Sequence, residues 1–425
     1  MLLFAALAAL LLLWLARPTA RAGTVAVVVL GDVSRSPRMC MHAASFAASG
    51  RRVSLVGYFE SALPRALRAP RVAAVPLRAP PDLRHVTRAL FPLVAPLKVA
   101  VQTASLLAAL ITCRAEMVMV QTPPAIPTLA VARVAAAVTR SRLVIDWHNT
   151  AYTILALRLG AHPLVRLAKA IERVSGRAAY AHLFVTDAMR RTLVAEWRLR
   201  GHVLVFRDRP PASFGRTSAV DAHALFERIA PDLWGTQPFT HAGRWRSDRP
   251  ALVVSSTSYT PDEDLGMLLD AADVYDAEAP DGLPPLAIVV TGKGPMRAAY
   301  EADMRERARR WRRVSVATAW LAAEDYPLLL GAADVGVSLH ASSSGLDLPM
   351  KVVDMLGCGA PVCALGFACL DELVVPGVNG EVFHDAQGLS RALQRVLSGT
   401  RCAASFVGDD APTWEANWDR IVAPL

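Results

Sequence analysis

The chain is poor in lysine, lacks metal-type cysteine spacing and has few uninterrupted apolar runs. Of its 46 basic residues only four are Lys, and two of these, Lys293 and Lys351, fall inside glycine-containing motifs. Arg is spread throughout, with no basic helix interleaved with aromatics. The net charge of +9 therefore points to a membrane surface or phosphorylated ligands, with no nucleic acid partner expected. Six cysteines (Cys40, Cys113, Cys358, Cys363, Cys369, Cys402) show neither zinc spacing nor a paired framework. Buried, reduced thiols are the simplest account, and no metal site follows from them. Although 53% of the residues are hydrophobic, this does not force a polytopic membrane protein, because few runs reach spanning length.

One run, residues 2–16, is free of charge. It covers about 22 Å of helix against a hydrocarbon core of about 30 Å. A signal peptide would carry a basic leader, which is absent, although Ala20-Arg21-Ala22 resembles a cleavage site. We expect an uncleaved N-terminal membrane anchor over residues 1–22. Arg17 and Arg21 follow it and, by the positive-inside rule, put the body of the protein in the cytosol.

A chain of 425 residues is too long for one ordinary core, so two domains are expected. Residues 23–30 form a continuous β-branched run before Gly31-Asp32, reading as a buried parallel strand followed by a helix over 37–48 and a strand over 52–57. Short strands at 117–121, 143–146 and 182–186 continue this α/β pattern. Residues 90–112 are strongly apolar but broken by Pro92, Pro96, Lys98 and Gln102; a spanning helix is one reading, a helix on or dipping into a membrane surface the preferred one, and an ordinary buried helix the alternative. Residues 208–250, rich in Pro, Arg and Asp, read as a linker. The α/β pattern then restarts at 251 and runs to 395. The expected architecture is α/β, with two Rossmann-like domains (23–207 and 251–395) facing a cleft, and a segment 396–425 packing back on the first.

The run 341–364, ASSSGLDLPMKVVDMLGCGAPVCA, combines an exposed turn at Ser344-Gly345, Pro349 at a helix start, and Lys351 and Asp354 on that helix. Free amides at a helix start attract an anion, and Asp354 lies roughly 7.5 Å further along the axis, within reach of a ribose. A solvated Lys351–Asp354 pair on an amphipathic helix accounts equally well for the pattern. Thr291-Gly292-Lys293-Gly294-Pro295 sits at a strand end, where Lys293 can meet a phosphate or simply cap a tight turn. The loop SSTSYTPDED (255–264) offers Ser256 and Thr257 to a nucleotide, while Glu263 and Asp264 fit a helix cap. In the first half, Arg35 and Arg38 can counter a diphosphate and Asp32 can accept a proton. His148, in Asp146-Trp147-His148-Asn149, can deprotonate or orient a sugar hydroxyl. The charges of Arg207-Asp208-Arg209 either line a cleft or solvate a loop.

In order and content these motifs resemble the β-1,4-mannosyltransferases that add the first mannose to chitobiosyl-diphosphodolichol, and the resemblance covers nearly the whole chain. TSYTPDED and SSSGLDLPMKVVDM carry it most specifically, whereas TGKGP is common to many GT-B glycosyltransferases. The resemblance implies a GT-B fold, GDP-mannose as donor, GlcNAc-GlcNAc-diphosphodolichol as acceptor, no obligatory cofactor, and an endoplasmic reticulum anchor with a cytosolic catalytic body. Complexes with other enzymes of the same lipid-linked pathway fit that setting. It implies inversion at the sugar, with Asp32 and His148 as alternatives for the base, and Asp354 where GT-B enzymes commonly use a Glu on the ribose. Their usual Arg/Lys pair after the first strand of the second domain is absent, which leaves Lys293, Lys351, Arg38 and the amides near Gly345 as substitutes. The rival readings are a GT-B transferase with another sugar or acceptor, a nucleotide-sugar epimerase, for which the anchor is superfluous, and a catalytically silent scaffold.

Overall fold

The computed structural model describes residues 20–80, 91–211, 213–230, 233–260, 263–399, 406 and 413–425. The anchor expected over 1–22 lies, up to residue 19, outside the described residues, and the first strand already begins at Arg21. The chain divides into two compact units, Met1–Arg207 with Trp418–Leu425, and Asp208–Asn417.

In the first unit, strands β1 (Arg21–Asp32), β2 (Arg52–Tyr58), β3 (Val72–Pro76), β4 (Ala115–Thr122), β5 (Arg142–Trp147), β6 (Ala178–Phe184) and β7 (Arg200–Val205) form a parallel sheet in the order β3-β2-β1-β4-β5-β6-β7. Val25 to Leu30 are all buried, which is why β1 reads as an unbroken apolar run with no alternation. The helices are α1 (Pro37–Ala48), α2 (Phe91–Cys113), α3 (Thr128–Thr139), α4 (Ala151–Leu159), α5 (Pro163–Gly176) and α6 (Asp187–Trp197). Within α2, the 18 residues Pro96–Cys113 have a mean hydropathy of 1.5 and are long and apolar enough to cross a membrane. The helix nevertheless packs against α3; Leu106 and Leu110 are buried, and Gln102 Nε2 donates to Tyr58 Oη at 3.3 Å. It lies along the unit with an exposed outer face.

The second unit contains α7 (Ala219–Arg228) and a small antiparallel hairpin of β8 (Thr240–His241) with β9 (Arg244–Trp245). Then come β10 (Ala251–Thr257), α8 (Leu265–Glu278), β11 (Leu286–Gly292), α9 (Arg297–Ala308), β12 (Val314–Ala319) and α10 (Asp325–Ala332). β13 (Val335–Ser338), α11 (Met350–Gly357), β14 (Val362–Leu365), β15 (Gly380–Phe383) and α12 (Ala386–Leu397) follow, and α13 (Trp414–Ile421) begins in this unit and ends in the first. Its six parallel strands run in the order β12-β11-β10-β13-β14-β15. Both faces are covered: Leu252 and Val254 join the core under α7, α10 and α11, whereas Ala251 and Val253 join the core under α8 and α12.

The stretch read as a linker is folded. Ala222, Leu225, Phe226 and Ile229 recur at i, i+3, i+4 and i+7 and bury α7 in the second unit's core, where Phe226 stacks on Phe239 at 4.8 Å. Ser218 caps this helix by accepting from the Asp221 amide. Prolines and charges on either side obscure an ordinary amphipathic signal.

The last eight residues fold with the first unit. Trp418 Nε1 donates to His42 Nδ1 at 3.2 Å, and its ring meets Phe46 edge-on at 5.1 Å. Arg142 Nη1 donates to the carbonyl of Leu425 at 2.8 Å. Trp418→Ala is expected to lower the unfolding free energy by about 3–5 kcal/mol, measured by chemical denaturation of the detergent-solubilised protein; an unchanged midpoint would show that the terminus is not part of this core.

Candidate functional site

Ligands of open parallel sheets gather at the C-terminal strand ends where the strand order reverses. Those points lie between β1 and β4 in the first unit and between β10 and β13 in the second. The predicted residues cluster around both.

At the first, Asp146 ends β5 fully buried. Arg38, on α1, grips it with two bonds of 2.8 Å (Nε to Oδ2, Nη2 to Oδ1) and donates a third to the Phe206 carbonyl at 2.9 Å. His148 Nε2 lies 2.9 Å from Asp146 Oδ2, with the ring about a quarter exposed. His42 Nε2 lies 3.3 Å from the same oxygen. Because the Trp418 indole can only donate, His42 Nδ1 must accept and Nε2 carries the proton. Burial alone would raise the pKa of Asp146, but Arg38 and the histidines around it hold it well below the usual carboxylate range. Burial pushes His42 down, toward its neutral form.

Asp32 is nearly buried and occupied. It accepts from Ser61 Oγ at 2.6 Å and from the Ser34 amide at 3.4 Å, capping the short helical turn Val33–Arg35. The Ser61 hydroxyl bond is the main cause of its lowered pKa. Arg35 stands 3.6 Å from Asp32 with its side chain 81% exposed.

In the second unit, the loop after β10 is held by Glu263, which accepts from Thr257 Oγ1 at 2.8 Å and the Ser258 amide at 2.7 Å and forms an ion pair with Lys351 of α11. Thr257 Oγ1 in turn accepts from the Tyr259 amide at 2.9 Å. Tyr259 is buried with φ of +49°, a conformation that a bulky side chain adopts only when its surroundings enforce it. The next loop is fitted to this one. A Cβ on Gly292 would lie 1.8 Å from the Thr257 carbonyl, and one on Gly294 would lie 1.7 Å from that of Ser258. Lys293 between them is exposed and stacks on the exposed Trp320 ring at 4.2 Å. Ser256 Oγ lies 3.2 Å from Tyr326 Oη.

After β13, Ser342 and Ser344 hydrogen-bond Asp347, and Gly345 turns with φ of +69°. Pro349 caps α11, one position earlier than the expected first helical residue. Asp354 faces the other way from Lys351 in chemical terms: among the described residues no group hydrogen-bonds its carboxylate. Burial, and the Asp208 charge nearby, push it up to about 7. A surface hollow of about 590 Å³ beside Pro280, Leu283, Gln394 and Arg395 precedes β11, at the end opposite Lys293.

Several predicted assignments change. Arg38 is 4% exposed and committed to Asp146, so it is not a free diphosphate cation. Lys351 is neutralised by Glu263. Arg209 is buried, donating to the Asp208 carbonyl at 2.8 Å and lying over the Phe406 ring at 4.4 Å. The Ser344 hydroxyl serves Asp347, and Gly294 has a packing reason for being glycine. Asp264 caps α8 as expected, but Glu263 is a loop organiser, and Asp146 is the centre of the first cluster. The signal for Asp146 was an acid at a strand end, and that for Glu263 an acid beside a helix cap in a hydroxyl-rich loop.

A mouse protein named chitobiosyldiphosphodolichol beta-mannosyltransferase is 41% identical over 446 residues, taking in 96% of this chain and 90% of the mouse protein. The chain belongs to the chitobiosyldiphosphodolichol beta-mannosyltransferase family. The resemblance read from its motifs is thereby borne out, and the protein is a glycosyltransferase. An Arabidopsis thaliana protein named UDP-glycosyltransferase TURAN is also similar, 37% identical over 95% of this chain and 97% of its own length. Residues 249–399 match the family model described as Glycosyl transferases group 1. The crystal structure of Anabaena HepE in complex with UDP and glucose superposes with a TM-score of 0.60 at 18% identity, covering 95% of both chains. That likeness and the two parallel sheets bear out the GT-B fold for this member of the family.

The desolvated carboxylate of Asp354 gives a pH signature. A folded-state pKa raised from 3.8 to about 7 contributes stability at low pH that is lost as pH rises through that interval. Asp354→Asn is expected to melt above wild type at pH values over 7 and level with it below 3.8, in thermal scans across that range. A constant difference at every pH would refute the assignment.

Proposed function

We propose that the protein is an inverting mannosyltransferase that moves mannose from GDP-mannose to O4 of the terminal GlcNAc of GlcNAc-GlcNAc-diphosphodolichol, forming a β-1,4 linkage. The observation that carries this reading is the 41% identity, across both units, to a protein named for β-mannosyl transfer to that lipid. Mannose is α-linked in GDP-mannose, so a β product calls for one in-line displacement. The acceptor hydroxyl must lose its proton as GDP departs.

His148 is the better-placed base. With Nε2–H directed at Asp146, the neutral ring presents the Nδ1 lone pair for the acceptor proton, and the carboxylate stabilises the imidazolium that forms. Arg38 is the positioning residue that fixes Asp146. Asp32, already accepting from Ser61 and Ser34 and lowered in basicity, suits sugar positioning. On the donor side, Lys293 and the amides near Gly345 receive the diphosphate, Ser256 and Thr257 border the nucleotide, and Asp354 accepts from the ribose. These fixed charges and dipoles would stabilise the leaving group. The setting is the endoplasmic reticulum membrane, with a single N-terminal anchor that ends before β1 begins at Arg21, a cytosolic body, and association with other enzymes of lipid-linked oligosaccharide assembly. A second reading, a UDP-sugar donor, draws on the name of the Arabidopsis relative.

Detergent-solubilised protein given GDP-mannose and chitobiosyl-diphosphate lipid is expected to form a product that β-mannosidase cleaves. Transfer from UDP-sugars alone would favour the second reading, and a β-mannosidase-resistant product would reject both stereochemistry and mechanism. His148→Ala should lower kcat by roughly 10²–10⁴ with little change in the KM for GDP-mannose. Asp32→Ala should retain more activity than His148→Ala; the reverse order would transfer the base role to Asp32.

A further inference from the structure

The exposed large apolar residues of this chain are unevenly placed. Among the described residues, seven of the thirteen lie on the α4–α5 hairpin, and three more lie on α2 and α3. Along α5, Leu164, Leu167, Ile171 and Val174 recur at i, i+3, i+7 and i+10 and face outward, the first two and the last each more than half exposed. The opposite face of the same helix is also spoken for: Ala168, Glu172 and Gly176 are buried, and a Cβ on Gly176 would meet Trp147 at 2.7 Å. Helix α4 is apolar, with Leu157 at 65% exposure, yet none of its residues is buried. A helix apolar on its outward side has a second nonaqueous surface to meet.

Charge selects that surface. Between residues 128 and 177 the only acids are Asp146 and Glu172, both buried, whereas Arg133, Arg140, Arg158, Arg166, Arg173 and Arg177 are exposed. An apolar stripe accompanied by exposed arginines that form no ion pair among the described residues fits a bilayer with anionic headgroups. The face is also continuous: α2, the helix apolar enough for a membrane, packs on α3, α3 on α5, and α5 on α4.

We propose that the α4–α5 hairpin is a membrane-docking element, with Leu157, Leu164, Leu167, Ile171 and Val174 entering the headgroup–acyl boundary of an anionic bilayer alongside the outer face of α2. Glu172 ties the element to the catalytic loop. Its carboxylate accepts from the amides of Ala151 and Tyr152 at 2.9 and 3.1 Å, pinning the start of α4 two residues after Asn149. Docking the hairpin thus sets the height of His148 above the lipid. This consequence rests on the lipid-borne acceptor proposed above; the docking itself does not.

The test uses the full chain reconstituted in phosphatidylcholine–phosphatidylserine vesicles carrying a trace of phospholipid with a photoactivatable acyl chain, with adducts mapped by mass spectrometry. Adducts within residues 151–176, lost in Leu167→Glu/Ile171→Glu, are expected. That variant should also raise the KM for vesicle-borne acceptor roughly tenfold while leaving kcat on a detergent-dispersed short-chain acceptor unchanged. The substituted side chains are exposed, and an unchanged circular dichroism melt confirms folding. Adducts confined to residues 2–16, or undiminished in the variant, would overturn the proposal. So would a reversible dimer, seen by sedimentation velocity, that protects the stripe without lipid adducts. Labelling without mannosyl transfer would uphold docking and reject the proposed reaction.

Discussion

A carboxylate withdrawn from water has to be matched by donors, and in the first unit that requirement falls on Asp146. Desolvation of an isolated carboxylate is prohibitive, so the residue is stable at the end of β5 only because Arg38 meets both of its oxygens. The guanidinium belongs to α1 and also reaches the Phe206 carbonyl beyond β7. One ion pair therefore joins the first helix, the fifth strand and the exit from the last strand. The same oxygen that takes Arg38 Nε takes His148 Nε2. Structural neutralisation and orientation of the imidazole are properties of one group.

The second unit repeats this logic with Glu263 and departs from it at Asp354. Glu263 is buried and answered by a hydroxyl, an amide and Lys351, so the loop after β10 and helix α11 are held in one arrangement. Asp354, a turn further along the same helix, has the Asp208 charge nearby and, among the described residues, no hydrogen-bond donor. Local consistency is the rule in stable proteins, and a carboxyl with no donor among the described residues, at a strand-end cluster, is the kind of exception that binding sites make. A ligand hydroxyl would supply what the protein withholds.

The sheets were legible because doubly covered parallel strands must be apolar on both faces; the runs at 23–30 and 286–291 allow little else. Helix 37–48 was legible from Pro37 and its periodicity. Helix α7 carried an equally regular apolar pattern, but composition averaged over 208–250 concealed it. At the site, the candidate residues stand near strand ends as the sequence pattern suggested, but the pattern did not show which charges are already paired. Arg38 meets its acid 108 positions away and Lys351 meets Glu263 across 88, separations at which no local spacing rule operates. The hairpin 151–176 escaped notice for a related reason: an apolar stripe reads as core until burial shows which side faces out.

The two glycines of Thr291-Gly292-Lys293-Gly294 have a mechanical consequence. With the backbone of each seated against a carbonyl of the preceding loop, the segments 257–259 and 292–294 have no room to slide past one another. They form a single rigid rim, and Lys293 rides on it. The reach of that ammonium is consequently set by the β10 loop and by the Trp320 ring beneath it, more than by the four-carbon stem that carries it.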